Sequence, residues 1–99
     1  VASWAKTLSY EIAPYGITVN NILPGLTNTV RLKTIIEKIA KKDNRSINEV
    51  TKEMKNSVPS NRFAEPHETA SAIVFLASDQ ASYINGVNLP IDGGKTQSL

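Results

Sequence analysis

The sequence predicts an α/β fold, and within that class the C-terminal portion of a doubly wound parallel sheet. Two β-rich runs, 17–23 and 86–91, alternate with stretches of helical periodicity in the order helix, strand, helical excursion, helix, strand. A strand followed by helices and then a second strand implies a right-handed parallel crossover. The first run carries no charge and is apolar on most positions, as in a strand covered on both faces. Two parallel strands cannot make a core alone, so a further strand is expected beside the first. The chain also opens at Val1 inside a helical pattern with no capping residue ahead of it, which fits the same expectation of a longer domain.

Over 1–13, Val1, Ala5, Leu8 and Ile12 share a face at helical spacing, with Trp4 beside them. Pro14 cannot continue that helix, and Gly16 frees the turn into the strand at 17–23. The strand stops at Pro24-Gly25 and opens into Leu26-Thr27-Asn28-Thr29. In open α/β sheets, ligands bind outside the carboxyl ends of the strands, which is where this hydroxyl-rich segment falls. A helix over 31–42 follows, with Leu32, Ile35, Ile36 and Ile39 on one side. After a turn at 43–45, Ser46 and Glu49 have the spacing of a capping box. Ile47, Val50 and Met54 continue the apolar stripe of that second helix, and Pro59 closes the pair.

A polar connector, 60–65, leads to Pro66 at the first position of a helix reaching about Ser78. Its second half is apolar nearly all round, so burial on more than one side is expected. A loop spans 79–85. The second strand ends at Asp92-Gly93-Gly94, and Pro90 assigns it to a sheet edge because proline lacks a ladder donor.

Composition narrows the function classes. The 99 residues, 40% hydrophobic and 20% charged, suit one small soluble domain. Without cysteine and with a single histidine, His67, thiolate and imidazole metal sites are not expected. No apolar run reaches the roughly 18–20 residues of a membrane span, and a cytoplasmic location is the default. Between Arg31 and Arg62, nine lysines and arginines face four acids, a net of +5, whereas the remaining residues sum to −3. That stretch is either a basic lid for an anionic substrate group or a solvated helix surface. Nucleic acid is not favoured, since no aromatics are interleaved on the basic face. Asn20 and Asn21 are unusual in an apolar strand, where a buried asparagine must bond backbone or water.

The run Leu8 to Asn20, then Pro24-Gly25 and Thr29, then Arg62-Phe63-Ala64-Glu65-Pro66-His67-Glu68, Phe75-Leu76-Ala77-Ser78, Gly86 and Asp92-Gly93-Gly94, resembles the second half of the short-chain dehydrogenase/reductase family. Each piece is unspecific alone; the ordered set covers nearly the whole chain, and only 30–60 is variable. Within the family it is most similar to bacterial 3-oxoacyl-carrier-protein reductase-like members. The resemblance implies that 1–99 is the C-terminal part of one Rossmann-type NAD(P)-binding domain, with 30–60 as a helical substrate lid.

It further implies an NADP- or NAD-dependent oxidoreductase that reduces a carbonyl or oxidises an alcohol, with substrates extending to acyl-carrier-protein-bound ones, and a homotetramer or homodimer. Pro24, Gly25 and Leu26 would lie at the nicotinamide, the Thr27 backbone would meet its carboxamide, and the Thr29 hydroxyl would bond the carboxamide or pyrophosphate. On the residues alone, Thr27 and Thr29 are equally candidates to cap the next helix.

No Tyr-x-x-x-Lys occurs, and the five glycines (16, 25, 86, 93, 94) do not form a phosphate loop. By the resemblance the catalytic residues lie upstream of Val1 and none is in this chain, so the chain alone is expected to be inactive, and unstable with an unpaired apolar strand edge. The alternative is a truncated, non-enzymatic member that serves as an assembly or binding module.

Overall fold

A computed structural model describes residues 2–96. Helix α1 (Ala2–Ile12) runs into a 3-10 turn over Ala13–Tyr15. That turn ends at Gly16, whose left-handed backbone (φ 76°) suits glycine. Ala5 and Ser9 form the buried side of α1, Leu8 and Ile12 are half-buried, and Trp4 is 68% exposed. Val1, expected on the same face, lies outside the described residues.

Strands β1 (Asn21–Pro24) and β2 (Asn88–Ile91) pair in parallel, with Asn21 opposite Asn88 and Pro24 opposite Ile91. Both are shorter than the runs at 17–23 and 86–91, and two asparagine side chains explain why. Asn20 accepts from the Val87 N–H (3.0 Å) and donates to the Ile84 carbonyl (3.2 Å). Asn85 accepts from the Val19 N–H (3.0 Å) and donates to the Ser9 carbonyl (3.0 Å) of α1. Ahead of the sheet these side-chain amides alternate with backbone bonds from the Gly86 N–H to the Val19 carbonyl (2.8 Å) and from the Asn21 N–H to the Val87 carbonyl (2.9 Å), and they tie the lead-ins of both strands to each other and to the helix. Asn20 thus bonds backbone, as a buried asparagine must; Asn21 bonds Asn88 across the pair at 2.8 Å.

Helices α2 (Val30–Lys42) and α3 (Ile47–Asn56) pack on each other. Leu32, Ile36, Ala40 and Val50 are buried between them, with Leu26, Ile39, Met54 and Phe63 packed around. The expected stripe is shifted, since Ile35 and Ile47 are exposed and Ala40 takes an inner place. The Ser46 hydroxyl caps α3 through the Glu49 N–H (3.1 Å), but the Glu49 carboxylate leans on Arg45 (3.7 Å). One half of the expected capping box is thus replaced by an ion pair.

Helix α4 (Pro66–Leu76) starts at the proline, and the Glu68 carboxylate accepts from the Glu65 N–H (2.9 Å). Its apolar side is not covered within the described residues: Ile73, Val74 and Phe75 are exposed, Val74 by 69%. The radius of gyration is 17.1 Å, against about 13 Å for a compact domain of 100 residues. Extension and uncovered apolar surface go together here, and the buried residues include Leu32, Ile36, Ala40 and Val50 of the helix pair but none on either strand. No helix among the described residues is long and apolar enough to cross a membrane.

Candidate functional site

Three loops meet at the carboxyl ends of β1 and β2. The first is the Pro24-Gly25 turn, which is held to β2 by the Gly25 N–H donating to the Ile91 carbonyl (2.9 Å). A β-carbon on Gly25 would come within 2.8 Å of the Asp92 Cα and Cβ, so only glycine lets the two turns touch. The second loop is Asp92-Gly93-Gly94. The Asp92 carboxylate accepts from the N–H groups of Gly94 (3.0 Å) and Thr96 (2.9 Å), folding the chain back on itself. The Thr96 hydroxyl and N–H, with the N–H groups of Gly94 and Lys95, hold this carboxyl below the usual carboxylate range. The third loop arrives from α3, and the Ser60 N–H (3.1 Å) and hydroxyl (2.9 Å) both donate to the Gly93 carbonyl.

Beyond the turn, residues 26–28 pair in parallel with Ala64. The Ala64 N–H donates to the Leu26 carbonyl (3.0 Å) and the Asn28 N–H to the Ala64 carbonyl (2.8 Å). In such a parallel bridge the middle residue turns its own N–H and C=O to the opposite flank. For Thr27, neither group is hydrogen-bonded among the described residues. The Thr27 hydroxyl donates to the Gly25 carbonyl (3.0 Å), which braces the turn. Thr29 caps α2, its hydroxyl oxygen accepting from the Leu32 N–H (3.2 Å). Of the two capping candidates, Thr29 is the cap and Thr27 is not.

Pro24, Gly25, Leu26, Thr27 and Thr29 thus form one edge, backed by Asp92 and Ala64. The connector behind it is pinned by a two-pronged pair, Arg62 to Glu68 at 2.7 and 2.9 Å. The Arg62 guanidinium, helped by the Glu65 N–H, pulls the Glu68 carboxyl down to about 2. The sequence reading attached no role to Arg62, Glu68 or Asn85. Arg62 and Glu68 lie six residues apart and meet where the connector turns into α4, whereas Asn85 reaches Val19 and Ser9 only through the crossover. Among the described residues, the shifted ionisable groups (Arg45, Arg62, Glu68, Asp92) are engaged in ion pairs or a turn. Apart from Asp92, which folds its own turn, the described residues of the edge present backbone amides and hydroxyls. His67 is exposed at the start of α4.

Parallel strands whose loops converge at one end, with helices between them, define part of a Rossmann-type α/β domain. The chain belongs to the short-chain dehydrogenase/reductase family: a family model described as enoyl-(acyl carrier protein) reductase matches residues 1–96. The NADPH-dependent reductase BacG of Bacillus subtilis (strain 168) is 36% identical over 95 residues, 96% of this chain and 37% of that protein. The 3-oxoacyl-[acyl-carrier-protein] reductase FabG of Vibrio harveyi is 36% identical over 94 residues, 95% of this chain and 34% of that one. A short chain dehydrogenase family protein from Francisella tularensis subsp. tularensis superposes with a TM-score of 0.91 at 36% identity, covering 98% of this chain and 40% of that chain. An L-sorbose reductase from Gluconobacter frateurii, complexed with NADPH and L-sorbose, gives 0.88 at 31% identity, covering 99% and 38%. The chain spans about a third of the length of these curated relatives.

Proposed function

We propose that residues 1–99 are the C-terminal part of one NAD(P)-binding domain of a short-chain oxidoreductase, in which Pro24, Gly25, Leu26, Thr27 and Thr29 hold the nicotinamide end of NADP or NAD. The observation that carries this is the Thr27 backbone: an N–H and a C=O that are both unpaired among the described residues, on one flank of a turn fixed by Gly25 and Ala64. A carboxamide offers one acceptor oxygen and two donor hydrogens, which complements that pair. The Thr29 oxygen accepts from Leu32, which leaves its own proton free to donate. When bound, the cofactor supplies or accepts the hydride. This chain's residues fix the ring's orientation, and rigid backbone groups do so at little entropic cost.

The substrate in this reading is a small carbonyl or alcohol compound. The name of the Vibrio harveyi relative and the basic stretch from Arg31 to Arg62 support extending it to 3-oxoacyl thioesters on an acidic carrier protein. Residues 30–60 act as the lid over that substrate. Assembly as a homotetramer or homodimer is supported by the uncovered apolar side of α4 and by exposed Trp4, and a cytoplasmic location by the cysteine-free composition.

The test compares Thr29→Ala, Thr29→Ser and Thr27→Ala in the full-length protein. Dinucleotide affinity should fall about tenfold in Thr29→Ala, return in Thr29→Ser, and change little in Thr27→Ala, where the backbone contacts persist. If Thr29→Ala lowers stability by the ~1 kcal/mol of a lost cap yet binds NADPH normally, Thr29 is a cap and nothing more.

A further inference from the structure

A cleft of about 460 Å3 lies between α2, α3 and the connector, within the roughly 300–1,000 Å3 range of small-molecule sites. Its floor is apolar, made by Leu32 and Ile36 of α2, Ile47 of α3 and Phe63. Two lysines also line the cleft. Lys33 is exposed, and the Lys55 ammonium sits 5.5 Å from the centre of the Phe63 ring. Arg62 also borders the cleft, but its guanidinium is forked onto Glu68 and so is already neutralised. Glu65 contributes one negative charge beside the Asn28 amide (3.4 Å). Two lysines against one glutamate leave a single positive charge beside a hydrophobic floor.

Asn28, Phe63 and Glu65, the neighbours of the Thr27–Ala64 bridge, line the cleft, whereas none of Pro24, Gly25, Leu26, Thr27 and Thr29 does. It is therefore not the edge assigned to the nicotinamide, and its occupant does not depend on that assignment.

We propose that this cleft binds an aliphatic monocarboxylate, with its chain on Leu32, Ile36, Ile47 and Phe63 and its carboxylate between Lys33 and Lys55. An apolar body against the floor supplies affinity in proportion to buried area. The single net positive charge matches a monoanion, and a cation held over an aromatic face gives the head group a fixed partner. A ligand seated there touches α2, α3 and the connector at once, so it stiffens the helix pair.

Calorimetric titration of the full-length protein with decanoate, and separately with decanol, tests this. Decanoate should bind saturably and more tightly than decanol, and Lys33→Gln and Lys55→Gln should each weaken it roughly fivefold. Thr51→Phe, which fills the cleft from α3, should abolish binding, while Lys41→Gln, outside the cleft, should leave it unchanged. Circular dichroism establishes that each variant is folded. The proposal is overturned if decanoate does not bind, if decanol binds equally well, if neither lysine variant weakens binding, or if folded Thr51→Phe keeps wild-type affinity.

Discussion

Gly25 and Asp92 are in contact through their backbones: a β-carbon at Gly25 would lie 2.8 Å from both the Cα and the Cβ of Asp92. The Gly25 N–H is meanwhile bonded to the neighbouring Ile91 carbonyl at 2.9 Å. Neither turn can withdraw without breaking the end of the β1–β2 pair.

Gly25→Ala is therefore expected to destabilise the full-length protein by roughly 1–3 kcal/mol, the usual range for overpacking, and to weaken dinucleotide binding by displacing Leu26 and Thr27. Urea unfolding and a dinucleotide titration check both effects. A variant with wild-type stability and affinity would show that the Asp92 turn yields freely.

Asn20→Leu removes the acceptor of the Val87 N–H and the donor to the Ile84 carbonyl in one step. Each half-buried group left without a partner costs about 1–3 kcal/mol. By contrast, Asn88→Ala breaks only an exposed side-chain pair with Asn21, and a change within about 0.5 kcal/mol is expected. Denaturant midpoints of the two variants should differ clearly, and similar midpoints would refute a clamp at Asn20.

The Glu68 carboxyl is held at about 2 rather than its ordinary 4.5 by the Arg62 fork. A folded-state value below the unfolded one adds stability that is complete above about 4.5 and is lost as pH falls toward about 2. Asp92, also depressed, acts in the same direction. Thermal midpoints of wild type and Glu68→Gln, followed across that acid range, should start apart with wild type higher and converge as pH drops. A gap that stays constant would mean that the ion pair adds nothing pH-dependent.

Much of this architecture was legible in the sequence, because it rests on local chemistry. Pro14 and Gly16 ended α1, Pro66 began α4, and Ser46 capped α3, each as its residue type dictates. Pro24-Gly25 fell at the carboxyl end of a strand as the pattern required. What the pattern missed was set by distant partners. Strand ends moved because the side chains of Asn20 and Asn85 interrupt the backbone ladder across the crossover. Glu49 turned to Arg45 rather than completing its box. The exposure of Ile73, Val74 and Phe75, on a helix whose composition predicts burial, lies in what is packed against α4, which its own residues do not specify. At the edge itself, residue types nominated Thr27 and Thr29 alike; only the pairing of 26–28 with Ala64 separated a free backbone from a helix cap.

The most direct measurement is NADPH consumption by the full-length protein, followed by absorbance with small ketones and with a 3-oxoacyl thioester as substrates, alongside a titration of NADPH and NADH binding. The account predicts saturable dinucleotide binding and substrate-dependent hydride transfer, with binding weakened by Gly25→Ala. A folded full-length protein that binds neither dinucleotide and turns over no carbonyl substrate would contradict it.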